Sequence, residues 1–511
     1  KIIHINPLPE AGLERFKHPQ DYMSLDFKST KLSDFHLQVK IGGDAALMKG
    51  LIKVHLDSGG FDTEFIENST TGFQSMCDNA RDTPWELIVR DSGIEKQLIE
   101  KVGVLCARSN ATTACWAMGL TQHRNGVSVI QEVVNLLLLG GHVGRKGAGF
   151  CPVRGHSNVQ GDRTVGIWEA PSDSFMDKME QGLKISLPRK HGYDVVNSIK
   201  AMADSKVEVF FCMGGNFLSA TPDTRFTANA LSNVDLVVQV STKLNRSHIV
   251  TGKEALILPC LGRTELDIQK SGKQFVSVEN SMGIVHMSRG GLKPASDLLK
   301  SEPWIVASLA AKTLKNSPIE WNELASSYDK IRDIMSDSLH GFEDYNIRVR
   351  EENGFYLPNP PRDSRTFQTD DGKAHFTTHG LPDVSVESDQ YVMMTLRSHD
   401  QYNTTIYGLD DRYRGIKGNR RILMMNSLDM LERNWKTRQV IDITSHFEGE
   451  ERTSENWLVI PYEIPSGNIA AYFPEANELV PLDSTAEISN TPTSKWIICS
   501  LSETSNSDEE E

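Results

Sequence analysis

A long glycine-rich segment, residues 116–167, holds most of the side chains whose types suggest chemistry. It begins WAMGLTQHRNGV and, after a helix-like stretch, continues GGHVGRKGAGFCPVRGHSNVQGDRTVGI. Glycines let backbone N–H groups approach an anion closely, and arginines offer forked donors that suit phosphate or carboxylate. The segment therefore indicates a site for an anionic ligand, and a glycine-rich crossover with solvated charges is the alternative. Its charged and titratable side chains are Arg145, Lys146, Arg154, His156 and Arg163.

A second candidate site follows the strand-like run VEVFFCM. Gly214, Gly215 and Asn216 predict a tight turn there, and residues 219–223 resemble a helix start with a proline near its first position. A strand, a glycine turn and a helix together form a phosphate-binding geometry. The spacing is not GxGxxG, so the pattern alone is weak, and a nicotinamide-binding dehydrogenase is not supported.

Residues 397–415, RSHDQYNTTIYGLDDRYRG, form a third candidate. Hydroxyls, amides and charges follow the apolar run YVMMTL here without strand-like alternation. Such a polar run suggests a loop that lines a ligand site, because binding residues are often carried on loops. An ordinary long hairpin is the alternative.

The composition favours small-molecule chemistry. Charged residues make up 24% of the 511 residues, and the formal charge of −14 is concentrated in part in the acidic C-terminus. Nucleic-acid or anionic-lipid binding would need clustered Lys and Arg, so we expect neither partner. Seven widely spaced cysteines without a C-x-x-C predict a reducing, cytoplasmic location and no protein-built zinc or iron–sulfur site. The longest apolar run, residues 133–139, is too short for a membrane span.

Strand-like and helix-like runs alternate through the first 300 residues, which is typical of parallel α/β architecture. Several strands end in Gly- and Asn-rich turns, and ligands bind beyond the strand C-termini in open parallel sheets. The predicted strands lie at 2–5, 111–118, 207–213, 235–240 and 255–258. The predicted helices lie at 94–109, 127–139, 194–203 and 224–231, with two more helical stretches within 301–339.

After Gln390 the pattern changes to short strands, and helix-period segments are nearly absent. The strand-like runs are YVMMTLRS, RILMMN, VIDITSHF, WLVIPYEI, IAAYF and KWIICSL. They predict a closed or half-closed β-barrel of about 120 residues, followed by a disordered acidic tail.

At the N-terminal end, KIIHIN has the pattern of a buried strand, so we expect the chain to begin inside a domain. A processed mature N-terminus is the alternative.

Several long, low-degeneracy blocks carry a resemblance that runs almost end to end. The chain resembles the formate-dehydrogenase-like (FdhF/YdeP-type) alpha subunits of the molybdopterin oxidoreductase superfamily, of which it would be the C-terminal two-thirds. The blocks are WAMGLTQH, CPVRGHSNVQGDRTVGIWE, MGGNFLSATPDT, VQVSTKLNRSH, LILPCLGRTE, RSHDQYNTTIYGLDDRYRGI and YFPEANELVPLDSTAEISNTPTSK.

The resemblance implies an α/β fold of the formate dehydrogenase/DMSO reductase type, with Rossmann-like domains and a C-terminal double-psi β-barrel. Residues 1–156 would be an N-terminally truncated Rossmann-like dinucleotide-binding domain, and 157–330 a portion of a second one. Residues 331–385 would connect them to the dinucleotide-binding barrel at 386–502, and 503–511 would be the disordered tail.

Members of the superfamily bind molybdenum or tungsten between two molybdopterin guanine dinucleotides. The resemblance implies a molybdenum bis(molybdopterin guanine dinucleotide), with a 4Fe–4S cluster and the metal's protein ligand only in the missing N-terminal part. Guanine offers adjacent N–H donors that suit a carboxylate or amide oxygen. Matching motif positions imply these cofactor-binding residues: Asn6, Gly119, Gln122, Gly214, Gly215, Asn216, Asp223, Gln239, Arg397, His399, Gln401, Tyr402, Thr404, Asn477 and Lys495.

Arg154 in PVRG matches the arginine that formate dehydrogenases of this superfamily place beside the metal. A guanidinium can hold a carboxylate in two hydrogen bonds and so orient its C–H. Two residues later those enzymes commonly have Gln, whereas this chain has His156, which can exchange a proton near neutral pH. We expect both residues to be catalytic. Because of the difference at His156, formate is not assumed to be the substrate of this chain. Cys151 is expected to be a small buried thiol and not a metal ligand.

The resemblance therefore implies a molybdenum-dependent oxidoreductase acting on a small carboxylate or oxyanion, with its redox partner left open. The isolated chain is expected to be incomplete and inactive. The alternative is a degenerate, metal-free scaffold or electron-transfer subunit of the same fold. VRGHSN and RSHDQYN favour the enzyme, because a scaffold has no physical need for these motifs.

Overall fold

The computed structural model describes residues 1–17, 29–398, 401 and 408–504. The strands in these ranges are β1 (Ile3–Ile5), β2 (Phe35–Leu37), β3 (Thr70–Thr71), β4 (Thr113–Trp116), β5 (Gly149–Pro152), β6 (Val209–Met213), β7 (Leu236–Ser241), β8 (Glu254–Pro259), β9 (Ile268–Gln269), β10 (Gly272–Lys273), β11 (Val276–Glu279), β12 (Ile284–Ser288), β13 (Phe355–Tyr356), β14 (Ala374–His375), β15 (Gln390–Leu396), β16 (Ile422–Met425), β17 (Val440–Phe447), β18 (Glu450–Pro461), β19 (Asn468–Tyr472) and β20 (Ile497–Glu503). The α-helices are α1 (Ala11–Glu14), α2 (Asp44–Ser58), α3 (Thr63–Ser69), α4 (Phe73–Asp82), α5 (Trp85–Ser92), α6 (Lys96–Ala107), α7 (Met118–Thr121), α8 (Gly126–Leu139), α9 (Val159–Thr164), α10 (Asp173–Leu183), α11 (Val195–Ala203), α12 (Phe217–Ala220), α13 (Thr224–Ser232), α14 (Glu302–Thr313), α15 (Trp321–Ser326), α16 (Tyr328–Ser338), α17 (Tyr345–Arg348), α18 (Pro360–Ser364) and α19 (Ser427–Glu432).

The chain forms two compact units. The barrel unit consists of Lys1–Phe150, Ser219–Arg225 and Ser364–Glu511. The second unit consists of Cys151–Leu218 and Phe226–Asp363. Among the described helices, none combines the length and apolar content that a bilayer span requires.

Helix α2 is the centre of the N-terminal core in the barrel unit. It is buried almost all round, as expected for a helix that is apolar on most faces, and it packs against α4, α5, α6 and α8. Its contact with α6 requires glycine at two positions: a Cβ on Gly103 would lie 2.6 Å from Val54 Cβ, and one on Gly50 would lie 2.8 Å from Ile99 Cγ2. The two helices therefore approach closely, and a larger residue at either position forces a shift.

A fully buried ion pair joins α2 to α8. Lys49 Nζ lies 2.5 Å from Glu132 Oε1, and the two side chains are only 1% and 2% exposed. Lys49 also donates to Asn79 Oδ1, and Asn135 Nδ2 donates to Glu132 Oε2 at 3.2 Å. Both charges are thus paired and hydrogen-bonded, which is the condition for burying them at tolerable cost.

Six strands of the same unit close into a barrel in the order β15-β19-β16-β18-β17-β20. The β15–β19 and β16–β18 pairs are parallel, and the remaining neighbours are antiparallel. Inward side chains such as Met393, Leu423 and Trp457 form its core. Outward side chains pack against Leu8 and Ile41, so strands such as β16 are buried on both faces.

The second unit contains a parallel sheet in the order β6-β7-β8 and an antiparallel sheet in the order β11-β12-β13. Its aromatic core includes Phe275, Phe342, Tyr345 and Phe355. Helix α11 begins with an Asp194 cap whose carboxylate accepts from Asn197 N at 2.9 Å, which satisfies one N–H that the helix itself leaves free.

The closed barrel and every predicted strand and helix of the first 300 residues are confirmed, with ends that differ by a few residues. Two expectations are wrong. The 301–339 region forms three helices instead of two, because α15 and α16 are separated by the extended residue Ser327. Pro222 does not begin a helix, since α12 ends before it and α13 starts after it. In the barrel region the six-residue helix α19, which Asn426 caps, lies among the strands. Of the predicted tail, Glu503 still belongs to β20, and residues 505–511 lie outside the described residues.

Candidate functional site

A cavity of about 550 Å³ lies within the barrel unit. Its floor is apolar and includes Met48, Leu51 and Leu136 from the core helices. Four of the residues predicted to bind the cofactor line it, namely Asn6, Gly119, Arg397 and Lys495. Gln122 adjoins them, because its carbonyl accepts from the backbone N–H of Lys495 at 3.1 Å. The fold thus brings together residues that are up to about 490 positions apart in the sequence.

Three cationic side chains share one wall of this cavity: Arg397, Arg414 and Lys495. Burial lowers the pKa of Arg397, whose guanidinium carbon lies 4.0 Å from the Phe473 ring centroid. Burial, together with the charges of Arg397 and Arg414, lowers the pKa of Lys495 to about 8. Arg414 is paired with Glu10 at 3.2 Å and with a nearby aspartate. Since close cations disfavour one another's charge, this wall suits an anionic ligand.

Gln401 is buried and its side-chain amide is used within the barrel unit. Its Nε2 donates to Phe473 O, and its Oε1 accepts from Ser398 N at 3.2 Å and from Arg420 Nη2 at 3.0 Å. The other predicted members of this loop, His399, Tyr402 and Thr404, lie outside the described residues.

Asp44 is a cavity residue that the sequence analysis missed. It stands in the first turn of α2 directly after Gly42 and Gly43, and it lines the same cavity. Burial raises its pKa to about 7. Within the described ranges no salt bridge reaches this carboxylate. The run KIGGDAAL, two glycines and an acid at the start of an apolar helix, is the signal that could have revealed it.

Replacing Asp44 with asparagine is expected to stabilise the unliganded chain at high pH. The unfolded carboxyl titrates near pH 3.9, roughly three units below the folded one, so wild-type stability falls as the pH rises through this interval. Asp44→Asn should therefore raise the melting temperature near pH 8 and change it little near pH 4. Thermal unfolding across this pH range measures the difference. Asp57→Asn, at an exposed position of the same helix, is the control, and an equal pH dependence in both variants would contradict the assignment.

A second cluster of the barrel unit surrounds Asp223. The Asp223 N–H donates to Asn477 O at 3.1 Å and to Val480 O at 2.9 Å, and its carboxylate accepts from Arg452 Nε at 2.7 Å. Asn477 Nδ2 donates to Ser219 O at 2.8 Å. Within the described residues, the buried atoms Asn477 Oδ1, Ser219 Oγ and Arg452 Nη1 lack hydrogen-bond partners. Such atoms are costly unless a ligand or water satisfies them, so this cluster fits a polar ligand group.

The predicted glycine turn lies in the second unit and has the expected conformation. Gly214 and Gly215 have φ of +71° and +78°, and an added Cβ at either would meet no atom within 4 Å. Asn216 Oδ1 accepts from Ser247 Oγ at 2.9 Å, and Gln239 Nε2 donates to Ser247 O at 2.6 Å. Both amide side chains therefore bind Ser247, and the space beside the two glycines stays open.

Arg154 and His156 are exposed on the segment between β5 and α9 of the second unit. Arg154 Nε donates to Gln160 Oε1 at 2.9 Å, and its backbone N–H donates to Ser281 Oγ at 3.1 Å. Its two Nη groups make no hydrogen bond to any described residue. The Nε side of the guanidinium is thus fixed by a hydrogen bond, and its two Nη groups are available to bind an anion.

Two other arginines of the glycine-rich segment have carboxylate partners. Arg145 is paired with Asp62 at 2.7 Å, and Arg163 lies 3.4 Å from Glu169. The charges of these two arginines are therefore partly offset within the chain. None of the seven cysteines forms a disulfide, and Cys151 is partly buried. The described part of the chain contains no group of three or more metal-ligand side chains.

Comparisons with known proteins give one consistent result. The family model "Molybdopterin oxidoreductase" matches residues 20–249. An uncharacterized oxidoreductase of Mycobacterium tuberculosis is 48% identical over 99% of this chain and 66% of its own length. Protein YdeP of Escherichia coli is 40% identical over 97% of this chain and 68% of its own length. The chain thus spans about two thirds of the length of these relatives.

More distant likenesses extend the comparison. The F420-dependent formate dehydrogenase subunit alpha of Methanocaldococcus jannaschii is 26% identical over 60% of this chain and 44% of its own length. Among solved structures, acetylene hydratase from Pelobacter acetylenicus matches with a TM-score of 0.66 over 98% of this chain and 74% of its own. At 14% identity this last likeness shows a shared fold and nothing more.

Proposed function

Because the chain belongs to the molybdopterin oxidoreductase family, we propose that it holds a molybdenum bis(molybdopterin guanine dinucleotide) and oxidises or reduces a small carboxylate or oxyanion. Electrons would leave through a 4Fe–4S cluster when the substrate is oxidised and enter through it when the substrate is reduced, and the cluster's ligands would not come from the residues of this sequence. The barrel would be the double-psi barrel of the family, at residues 386–502. Seven cysteines without a disulfide accord with a reducing compartment such as the cytoplasm.

The observation that carries the proposal is the pairing of a large cavity with a cationic wall. A pterin dinucleotide has apolar ring surface and a doubly charged pyrophosphate, which match the apolar floor and the Arg397, Arg414 and Lys495 wall. The Asp223 cluster adds a second fit. Its buried atoms without partners, on Ser219 and Asn477, offer a hydroxyl and an amide oxygen to a base such as guanine.

When bound, molybdenum would supply a two-electron redox centre. In this proposal Arg154 binds the substrate through its two Nη groups, which orients the carboxylate or oxyanion. His156, two residues later, takes or gives the proton that accompanies the electron transfer. The glycine turn at 214–215 offers backbone N–H groups and open space to a second phosphate group.

The proposal predicts that the protein as isolated from its natural source contains molybdenum and releases GMP on acid hydrolysis. Lys495→Gln removes a buried cation from the cavity wall, so we expect it to lower the GMP content by about tenfold, the effect of losing a charge-assisted hydrogen bond. Elemental analysis and chromatography of the released nucleotide measure both quantities.

Lys436→Gln is the matched control, because Lys436 is an exposed barrel residue, and its cofactor content should equal that of the wild type. A native protein with neither molybdenum nor GMP would contradict the proposal and favour a metal-free scaffold of the same fold. An equal loss in both lysine variants would show that the cavity wall has no specific role.

A further inference from the structure

Arg414 in the cavity wall has two carboxylate partners that differ in how firmly they are held. Asp411 is 1% exposed, and its carboxylate accepts from Arg414 Nη1 at 2.9 Å and from the Tyr472 hydroxyl at 2.8 Å. The Glu10 side chain is 38% exposed and itself lines the cavity. Its two carboxylate oxygens accept from Arg414 Nη2 at 3.2 and 3.3 Å, at the long end of N–H···O hydrogen bonds.

Glu10 leaves part of the Arg414 guanidinium unsatisfied. In a planar guanidinium, Nε–H and one N–H of Nη2 point in the same direction and form a fork for two oxygens. Glu10 directs both of its oxygens at Nη2 alone, and the buried Nε has no hydrogen-bond partner within the part of the chain that the structure describes. The Nη1 group is in full use, because it also donates to Arg397 O at 3.1 Å. A phosphate group, which offers two oxygens, would satisfy the Nε–Nη2 edge better than Glu10 does.

We propose that Glu10 is an exchangeable counter-ion of Arg414, which a phosphate group displaces from the guanidinium when it binds in the cavity. Asp411 stays in place as the fixed partner and keeps the guanidinium oriented. The inference rests on the proposed function, in which the phosphate group belongs to a pterin dinucleotide. Free phosphate or pyrophosphate offers the same chemistry and would use the same edge.

The charges around Arg414 favour this exchange. Burial opposes its positive charge, but Glu10 and Asp411 more than offset that effect and raise the pKa of Arg414, so the guanidinium stays ionised. A partly exposed ion pair such as that with Glu10 contributes little to stability, and giving it up therefore costs little. A pyrophosphate brings more negative charge than the carboxylate that it replaces, and it gains a bidentate contact beside Arg397 and Lys495, which line the same wall.

Asp411 is too firmly bound to be displaced in the same way. Its Oδ1 accepts from the backbone N–H groups of Tyr413 at 3.2 Å and Arg414 at 3.3 Å, so both of its oxygens have donors. Displacing this carboxylate would leave a buried charge and the Tyr472 hydroxyl without partners, which is expensive. The exchange is therefore confined to Glu10, whose partly exposed carboxylate can be hydrated when it leaves Arg414.

The test measures the binding of inorganic pyrophosphate, by isothermal titration calorimetry, to the chain expressed in cells that cannot make molybdopterin. Glu10→Gln keeps the size of the side chain and removes its charge, so it should tighten binding by about tenfold, because a like charge beside the site opposes an anion. In an Arg414→Lys background, which keeps the positive charge but lacks the Nε–Nη2 edge, the gain should shrink to about twofold or less. If Arg414→Lys fails to fold, the comparison of Glu10→Gln with its control still decides.

Glu14→Gln is the matched control, because it removes the same charge from helix α1, which directly follows Glu10, and Glu14 pairs with Lys31 at 3.1 Å. Its affinity for pyrophosphate should match that of the wild type. Unchanged or weaker binding in Glu10→Gln, an equal gain in Glu14→Gln, or an undiminished gain in the Arg414→Lys background would overturn the inference. A chain that binds no pyrophosphate in any of these forms would overturn it as well.

Cofactor analysis of the native protein separates a failure of this inference from a failure of the proposed function. A pterin dinucleotide releases GMP on acid hydrolysis, whereas free phosphate does not. Native protein without molybdenum or GMP would contradict the proposed function, while tighter pyrophosphate binding by Glu10→Gln would still support the exchange at a site for free phosphate groups. A fall in the GMP content of native Glu10→Gln protein would instead mean that Glu10 binds the cofactor directly, and it would overturn the inference.

Discussion

Replacing Glu132 with leucine is expected to lower the free energy of unfolding by about 3 to 5 kcal/mol, because it leaves a buried lysine without its counter-charge. Lys49 is 1% exposed and lies in the middle of α2, so its ammonium cannot reach water without displacing the helix. Asn79 would remain as a neutral acceptor and compensates only in part. Urea unfolding followed by tryptophan fluorescence measures the change.

The double variant Lys49→Met with Glu132→Leu is the informative control. It replaces the pair with apolar groups of similar volume, and such replacements are often neutral or stabilising. We expect it to recover most of the stability that the single change removes. Lys31→Ala, which breaks an exposed pair with Glu14 at 3.1 Å, should behave as the wild type. A single Glu132→Leu variant as stable as the wild type would show that Lys49 finds water or another partner.

Replacing Arg154 with lysine is expected to cost about 2 to 4 kcal/mol in kcat/KM, roughly 30- to 1,000-fold, with cofactor content intact. Lysine keeps the charge but loses the fork and the Nε–H that donates to Gln160. Steady-state kinetics of the native protein with formate and nitrate, beside GMP and molybdenum analysis, provide the measurement.

Gln160→Leu is a useful comparison in the same assay. It keeps the fork but removes the tether, so the expected loss is smaller and is concentrated in KM. Loss of the cofactor in Arg154→Lys would instead assign the residue to cofactor binding, and kinetics equal to the wild type would remove it from the catalytic site.

The architecture could be predicted because its signals are local. Runs such as VEVFFCM and IAAYF can be recognised as strands from their own residues. In the first 300 residues, the alternation of such strands with helices indicates the class of fold. The break between α15 and α16 was missed because their apolar spacing continues across Ser327, where only the backbone departs from helix.

The site was predictable in part. Asn6, Gly119, Arg397 and Lys495 lie around one cavity, but the resemblance placed them there, since nothing local connects positions so far apart. The pairing of Asp223 with Arg452 has no sequence signal of its own. It joins side chains more than 200 residues apart, and only the packed chain determines such distances.

The barrel unit draws on three stretches of chain, and this division has a consequence for biosynthesis. Leu8 and Ile41, 1% and 4% exposed, are covered by the barrel strands β15, β16 and β19, which the ribosome completes only about 320 residues beyond Phe150. At roughly 5 to 20 residues per second, the apolar surface of the first stretch waits about 15 to 65 s for its full cover. During that interval the nascent chain presents a natural binding site for chaperones, and slower translation would lengthen its exposure to aggregation.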